Sequence, residues 1–346
     1  MTMLSRRAFL STCSGLGVAA LAGCAPTSGT DDDATPDGGA DGPSGLTKVS
    51  FVLDYSPNVN HTGIYVAIDQ GFFAKEGIEV EIVPVPADGS DALIGAGGAD
   101  MGLTYQDYIA NSLSSANPLP YTAVAAVVQH NTSGIMSRAE DGIVRPKDME
   151  GHSYATWGLP IEQATVKQVV EEDGGDFSKV ALVPYEVDDE VMGLQAGLFD
   201  TVWVYEWWAV QNAKLQEYPV NYFAFADISP QFDFYTPVIA ANDAFAAADP
   251  ELVRAFLRAC EQGYELAATS PERAAEILCG AVPELDPALI AAAQASISPQ
   301  YTADASRWGV IDRSRWTRFY EWLNDTGLVE NGFDPALGFT NEYLEG

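Results

Sequence analysis

The 346-residue chain carries 49 acidic against 17 basic side chains, a formal charge of −32, with 47% hydrophobic and 11% aromatic residues. That apolar content is globular, and the length suffices for two lobes with separate cores. So acidic a surface repels phosphate backbones, which excludes nucleic acid as a partner, and it weighs more weakly against anionic ligands.

Residues 1–23 contain Ser5-Arg6-Arg7-Ala8-Phe9-Leu10, then a weakly apolar Gly- and Ala-rich run with no acidic residue. Paired arginines in that place mark the twin-arginine export route. The run ends in Leu21-Ala22-Gly23-Cys24, a lipobox pattern in which Cys24 becomes the lipidated first residue. Spanning a bilayer needs about 20 strongly apolar residues, and this run is shorter and rich in small ones. Loss of Arg6 and Arg7 with the leader takes the charge from −32 to −34. Residues 24–46 have no aromatic side chain and form an acidic, flexible tether. The expected location is the outer face of a cytoplasmic membrane, held by lipid.

In the remainder, apolar strand-like runs at 49–53, 80–85, 101–105 and 123–128 alternate with helical stretches such as 64–74. A second series begins with runs at 154–157, 180–183 and 201–205. Alternation of this kind predicts an α/β fold with βαβ units and mostly parallel sheets. Beyond Ala240 the pattern turns helical, at 250–268, 271–278, 287–295 and 313–324, with Pro opening three of the four. A short repeat ties the two series together: Gly97-x-x-Asp100-x-x-x-x-Tyr105 and Gly197-x-x-Asp200-x-x-x-x-Tyr205. Each is a helix-ending Gly, a turn Asp, a strand and an aromatic at the strand's carboxyl end, where open α/β sheets face a ligand crevice. Tyr105 and Tyr205 are therefore expected to face one cleft from opposite sides.

Three loops carry candidate ligand contacts. The first, residues 54–63, offers Asp54, Tyr55, Asn58, Asn60 and His61 directly before a helix; turn and capping chemistry accounts for part of it, with Thr62 as N-cap and His61 bonded to backbone. The second places Trp157 at a strand end and Glu162 in a helix first turn, a position that the helix dipole alone also favours. The third, Trp203-Val204-Tyr205-Glu206-Trp207-Trp208, is the densest aromatic cluster in the chain. Aromatic faces there can sandwich a planar heterocycle while Glu206 accepts hydrogen bonds from its N–H groups, although core packing also explains one or two of the tryptophans. Cys260 and Cys279 flank a helix break at 269–271, and a disulfide across a helical hairpin or a pair of buried free thiols are both open. No Cys-x-x-Cys or other metal-ligand spacing occurs.

The runs 53–63, Gln129-His130-Asn131-Thr132-Ser133-Gly134, 157–162, Tyr235-Thr236-Pro237-Val238 and Phe339-Thr340-Asn341-Glu342-Tyr343-Leu344 together resemble the ABC-transporter solute-binding proteins for thiamine pyrimidine precursors (formylaminopyrimidine and hydroxymethylpyrimidine), with riboflavin-binding relatives. The resemblance covers residues 48–346. It implies a two-lobed, type II periplasmic-binding-protein fold with lobe 1 at 47–135 plus 238–346, lobe 2 at 136–237, and crossover strands near 133–137 and 234–239. It also implies hinge closure on a small planar heterocycle, contacts from Asp54, Tyr55 and Tyr235, no cofactor, a monomer, and permease and ATPase partners. The carboxylate Glu206 precedes Trp207 and Trp208, whereas the family pattern Tyr-Gly-Trp-Glu puts it after, which leaves the ligand between a pyrimidine and a flavin. Two rival readings are an anion binder of the same fold and a pyrimidine-making enzyme. The three loops contain no Arg or Lys for an anion, and the chain lacks the enzyme's cysteine-rich motif.

Overall fold

The computed structural model describes residues 45–344 other than Asp88 and Asp188. The expected leader, the expected lipid acceptor Cys24 and the expected tether as far as residue 44 lie outside the described residues. Residues 45–346 form one compact unit. Ten strands build two five-stranded sheets: β1 (Thr47–Val52), β2 (Ile78–Val83), β3 (Met101–Thr104), β4 (Tyr121–Ala126), β5 (Ser133–Arg138), β6 (Ser153–Thr156), β7 (Ala181–Pro184), β8 (Thr201–Tyr205), β9 (Val220–Ala224) and β10 (Val238–Asn242). The orders are β2-β1-β3-β10-β4 and β7-β6-β8-β5-β9. Each sheet is parallel except for one strand, β10 in the first and β5 in the second, which runs antiparallel to both neighbours.

The two sheets therefore share one topology, as the repeat suggested, and the repeat residues do the same work in both. Asp100 accepts bonds from the backbone N–H (2.8 Å) and hydroxyl (2.6 Å) of Ser50, whose Oγ accepts from the Asp100 N–H at 2.9 Å. Asp200 and Ser153 repeat all three contacts, at 2.8, 2.8 and 2.9 Å. Each aspartate thus pins the start of one central strand to its parallel neighbour, and the pairing fixes the register on which the cleft-facing ends depend.

Residues 133–137 are not a crossing: they lie inside β5, hydrogen-bonded to β8 and β9 of the second sheet. The first passage between lobes runs through 127–132, and the second through 225–237. A partly exposed polar cluster ties these passages together. The His130 ring meets Asp233 at 2.8 Å and Asp304 at 3.1 Å, Asp233 accepts from the Asn131 N–H at 3.0 Å, and Arg315 reaches both aspartates. Helix Arg313–Thr326 braces the second passage by stacking Phe319 on Phe234 (4.2 Å between centroids) and setting Trp322 edge-on to Phe232.

Three further helices of the chain's last third, Pro250–Thr269, Pro271–Ala281 and Pro287–Ile297, open on Pro after Asp249, Ser270 and Asp286; both aspartates cap by accepting first-turn N–H bonds. They pack on the first sheet, with Phe256, Leu278, Ile290 and Ile297 in one core with Val49 and Phe51. Cys260 and Cys279 are both free. Cys260 is wholly inside that core, while Cys279 is half-buried at its edge on the next helix, and the two sulfurs are not bonded to each other.

Candidate functional site

The first loop is held from below by three buried side chains of the C-terminal helical layer. Tyr301 and Tyr264 donate their hydroxyls to the carbonyls of Val59 and Asn60, both at 2.7 Å, and Thr62 donates to Gln294 at 2.7 Å. This needs an unusually close helix contact. A Cβ on Gly63 would meet the Tyr264 ring at 2.3 Å, and one on Gly263 would meet the Gly63 carbonyl oxygen at 2.0 Å. Glycine at both places lets the helix Thr62–Asp69 lie against Pro250–Thr269.

Within the loop, His61 is fully buried and joins two partners. Its Nδ1 accepts from the Asn58 N–H at 3.0 Å, which leaves the Nε2 proton to meet Asp54 Oδ1 at 2.6 Å. Asp54 is itself almost without exposure. Burial alone would push its carboxyl up, but the bonds from His61 and the Tyr105 hydroxyl outweigh it and hold Asp54 below the usual aspartate range. Asn58 is a local cap, accepting from the Asn60 N–H and donating to the Ser56 carbonyl. Asn60 is buried, and its side-chain oxygen has no hydrogen-bond partner among the described residues. A buried, unmated amide costs about 1–3 kcal/mol, so a ligand group that pairs with it gains affinity.

Around Asp54 stand tyrosines from both lobes. Tyr105 follows β3 directly, and Tyr108 sits edge-on to it at 5.2 Å. Tyr205, from β8 of the other lobe, hydrogen-bonds Thr236 at 3.1 Å and lies within electrostatic reach of Asp107, Asp54 and Tyr108. Burial and the Asp54 charge push the Tyr105 hydroxyl well above its ordinary value, so it remains a proton donor. Asp107, on the first turn of helix Gln106–Ser114, has its carboxyl raised to about 6, chiefly by desolvation. The repeat thus brings Tyr105 and Tyr205 to one place from two lobes, around two carboxylates.

A second group lines the rim. Tyr55 is 69% exposed and Trp157 43% exposed. Trp157 lies edge-on to Tyr185 (5.9 Å), whose hydroxyl donates to Glu190 at 3.1 Å and lies within electrostatic reach of Tyr55 on the opposite lobe. Tyr108, Asp107, Tyr185 and Thr236 are not among the contacts expected from the sequence. Tyr185 carries the same signal as Tyr55 and Trp157, an aromatic just past a strand end, and Asp107 and Tyr108 follow Tyr105 directly.

Four expected contacts fall elsewhere. Glu162 is 5% exposed, and its oxygens accept from the Tyr154 hydroxyl, the Thr156 hydroxyl and the Leu159 N–H, so it closes a helix start. Trp203 is packed between Trp157 and Phe225 in the second lobe's core. Tyr235 is 1% exposed, and its hydroxyl accepts the Asp312 N–H at 2.7 Å as part of the hinge brace. Glu206 has both oxygens engaged, by Gln211 at 2.6 Å and by Ser296 at 2.5 Å, on the flank of the lobe junction.

Comparison with known proteins gives the same architecture. A formylaminopyrimidine-binding protein of Halalkalibacterium halodurans is 28% identical, aligned over 92% of this chain and 96% of its own. The 4-amino-5-hydroxymethyl-2-methylpyrimidine phosphate synthase of Aspergillus parasiticus is 24% identical over 86% of this chain and 87% of its own. Among solved structures, the periplasmic aliphatic sulphonate binding protein SsuA of Escherichia coli superposes with a TM-score of 0.67 at 13% identity, covering 86% of this chain and 99% of that one, which shows the two-lobed fold alone. The profile of one family spans residues 58–274, more than half of the sequence, and the chain belongs to that NMT1/THI5 like family.

Proposed function

We propose that this protein is the extracytoplasmic solute-binding component of an ABC importer, capturing a small aminopyrimidine, a thiamine pyrimidine precursor, between its lobes. The observation that carries the reading is the grouping of Tyr105, Tyr108 and Tyr205, from both lobes, within electrostatic reach of the carboxyls of Asp54 and Asp107. Such a site offers aromatic faces to a planar ring and oxygen acceptors to its amino and ring N–H groups. Its charge is unfavourable for a sulfonate or nitrate, and the likeness to SsuA is one of fold. The ligand bridges Tyr55, Asn60 and Tyr105 on one lobe and Trp157, Tyr185 and Tyr205 on the other, so it binds the closed arrangement more tightly than the open one, and a membrane permease with its ATPase receives it. No helix among the described residues is long and apolar enough to cross a membrane. A lipid on Cys24 and the acidic tether supply the anchor in this reading, and the protein acts as a monomer.

Capture needs neither a nucleophile nor a cofactor, and this distinguishes the reading from the synthase activity named for the Aspergillus relative. The test is thermal denaturation with 4-amino-5-hydroxymethyl-2-methylpyrimidine, its formylamino analogue, riboflavin and an alkanesulfonate, followed by mass spectrometry of the recovered compound. Saturable stabilisation by a pyrimidine, about 2.7 kcal/mol at a hundred times Kd, with the compound recovered unchanged, is the expected result. Stabilisation by riboflavin alone reassigns the ligand. A chemically altered pyrimidine or a preference for the sulfonate overturns the proposal.

A further inference from the structure

The segment after β8 belongs to two cores at once. Ala209, Val210 and Ala213 pack with Val202 and Val204 in the second lobe. Trp207, two residues upstream and only 6% exposed, belongs to the first lobe's core together with Ile290 and Ile297 of helix Pro287–Ile297, the helix against which the turn Glu206–Val210 packs. A π-helical turn over Glu206–Val210 carries this division, with Trp207 and Trp208 packed toward the first lobe and Ala209 and Val210 toward the second. The same turn carries Glu206, which accepts from Ser296 of helix Pro287–Ile297 on the first lobe (2.5 Å) and from Gln211 of its own lobe (2.6 Å); Gln211 also reaches Ser296 at 3.4 Å.

We propose that Trp207 and the Glu206–Ser296 pair form an interlobe latch: they are positioning residues that hold the cleft closed and set how fast a captured solute leaves. Separating the lobes along this flank withdraws an indole from an apolar core and removes the Ser296 bond from a partly desolvated carboxylate. Neither group needs to touch the solute. The role in release rests on the solute-capture reading above, whereas the effect on lobe separation does not, and the two can be measured apart.

The compact unit 45–346 contains two cysteines, of which Cys260 is buried and Cys279, on the first lobe, is partly exposed. One spin label on Cys279 and a second on Met192→Cys, exposed on the second lobe, report the interlobe distance. In the ligand-free protein, Ser296→Ala and Trp207→Leu are expected to add a longer-distance population while circular dichroism stays that of the parent. Loss of the one hydrogen bond in Ser296→Ala corresponds to a roughly tenfold shift in the open-to-closed ratio. With 4-amino-5-hydroxymethyl-2-methylpyrimidine as probe, its dissociation rate is expected to rise about as much, with association little changed. If Trp207→Leu fails to fold, Ser296→Ala carries the test. Parental distances in a folded variant overturn the latch; a shift in distance with no binding of the pyrimidine leaves the latch standing and overturns the ligand assignment instead.

Discussion

At Asp107, affinity and stability pull in opposite directions. Its carboxyl titrates near 6 because the folded chain strips water from the charged form. A value above the unfolded one means that the folded state favours the proton, so this residue's contribution is intact below 3.8 and declines as pH rises through about 6. Asp107→Asn is therefore expected to raise the denaturation midpoint at neutral pH, to leave it nearly unchanged in acid, and to weaken binding of the aminopyrimidine, a trade measurable by denaturant titration beside calorimetry. His130 carries the same sign for a different reason: the hydrogen bond to Asp233 raises the imidazole above its ordinary 6.5, the Asp233 and Asp304 charges add to it, and burial and Arg315 oppose it. Its contribution is full below 6.5 and fades as pH climbs through the raised value, so His130→Asn is expected to cost stability in mild acid and progressively less in base. Equal losses on both sides of neutrality would show that the ring acts only as a spacer. Sequence reading put Asp54, Asn60, Tyr105 and Tyr205 forward as candidates because strand ends and loops before helices announce themselves locally. It could not show that Glu162, Glu206 and Tyr235 were already mated, since Tyr154, Ser296 and the Asp312 N–H that occupy them come from other elements.

On the scale of elements, the site depends on how closely two helices approach. Gly263→Ala sets a methyl 2.0 Å from a backbone oxygen that has no rotamer to escape into, and is expected to cost roughly 3 kcal/mol, the upper end for overpacking. It is also expected to weaken ligand binding, because Tyr264 can no longer hold the Asn60 carbonyl. Gly280→Ala is the control. It is a helical glycine with nothing within 4 Å of the added carbon, and the same substitution is expected to stabilise by up to about 1 kcal/mol. Paired denaturation curves decide whether close approach or helix propensity governs the two sites. The helices of the last third were legible from Pro, Asp and apolar spacing. The strand β9 was not, and β5 and the start of β10 came only from the resemblance: Ser133-Gly134 by itself looks like a turn, and β5 and β10 take their character from neighbours far away in sequence. Gly134 is there because a Cβ would sit 2.1 Å from the Phe223 carbonyl of β9.

For the whole molecule, a formal charge of −32 means self-repulsion across both lobes. Raising salt from about 0.01 to about 0.15 M shortens the Debye length from about 30 to about 8 Å, and is expected to raise the melting temperature while leaving affinity for a neutral pyrimidine nearly unchanged. A melting temperature indifferent to salt would mean that the charges are already spaced beyond mutual reach. The two sheets hold a further consequence in their strand orders. Residues from β1 to β5 and from β6 to β10 are two versions of one five-strand unit, yet each unit gives its last strand to the other's sheet: β5 lies between β8 and β9, and β10 between β3 and β4. This is the geometry of a swapped dimer whose protomers have been joined into a single chain. Cut between β5 and β6, neither half owns a complete sheet, and each leaves a strand-wide slot that only the other can fill. The lobes are thus built through one another, and reassociation of separately made halves is an exchange of strands rather than a docking of finished domains.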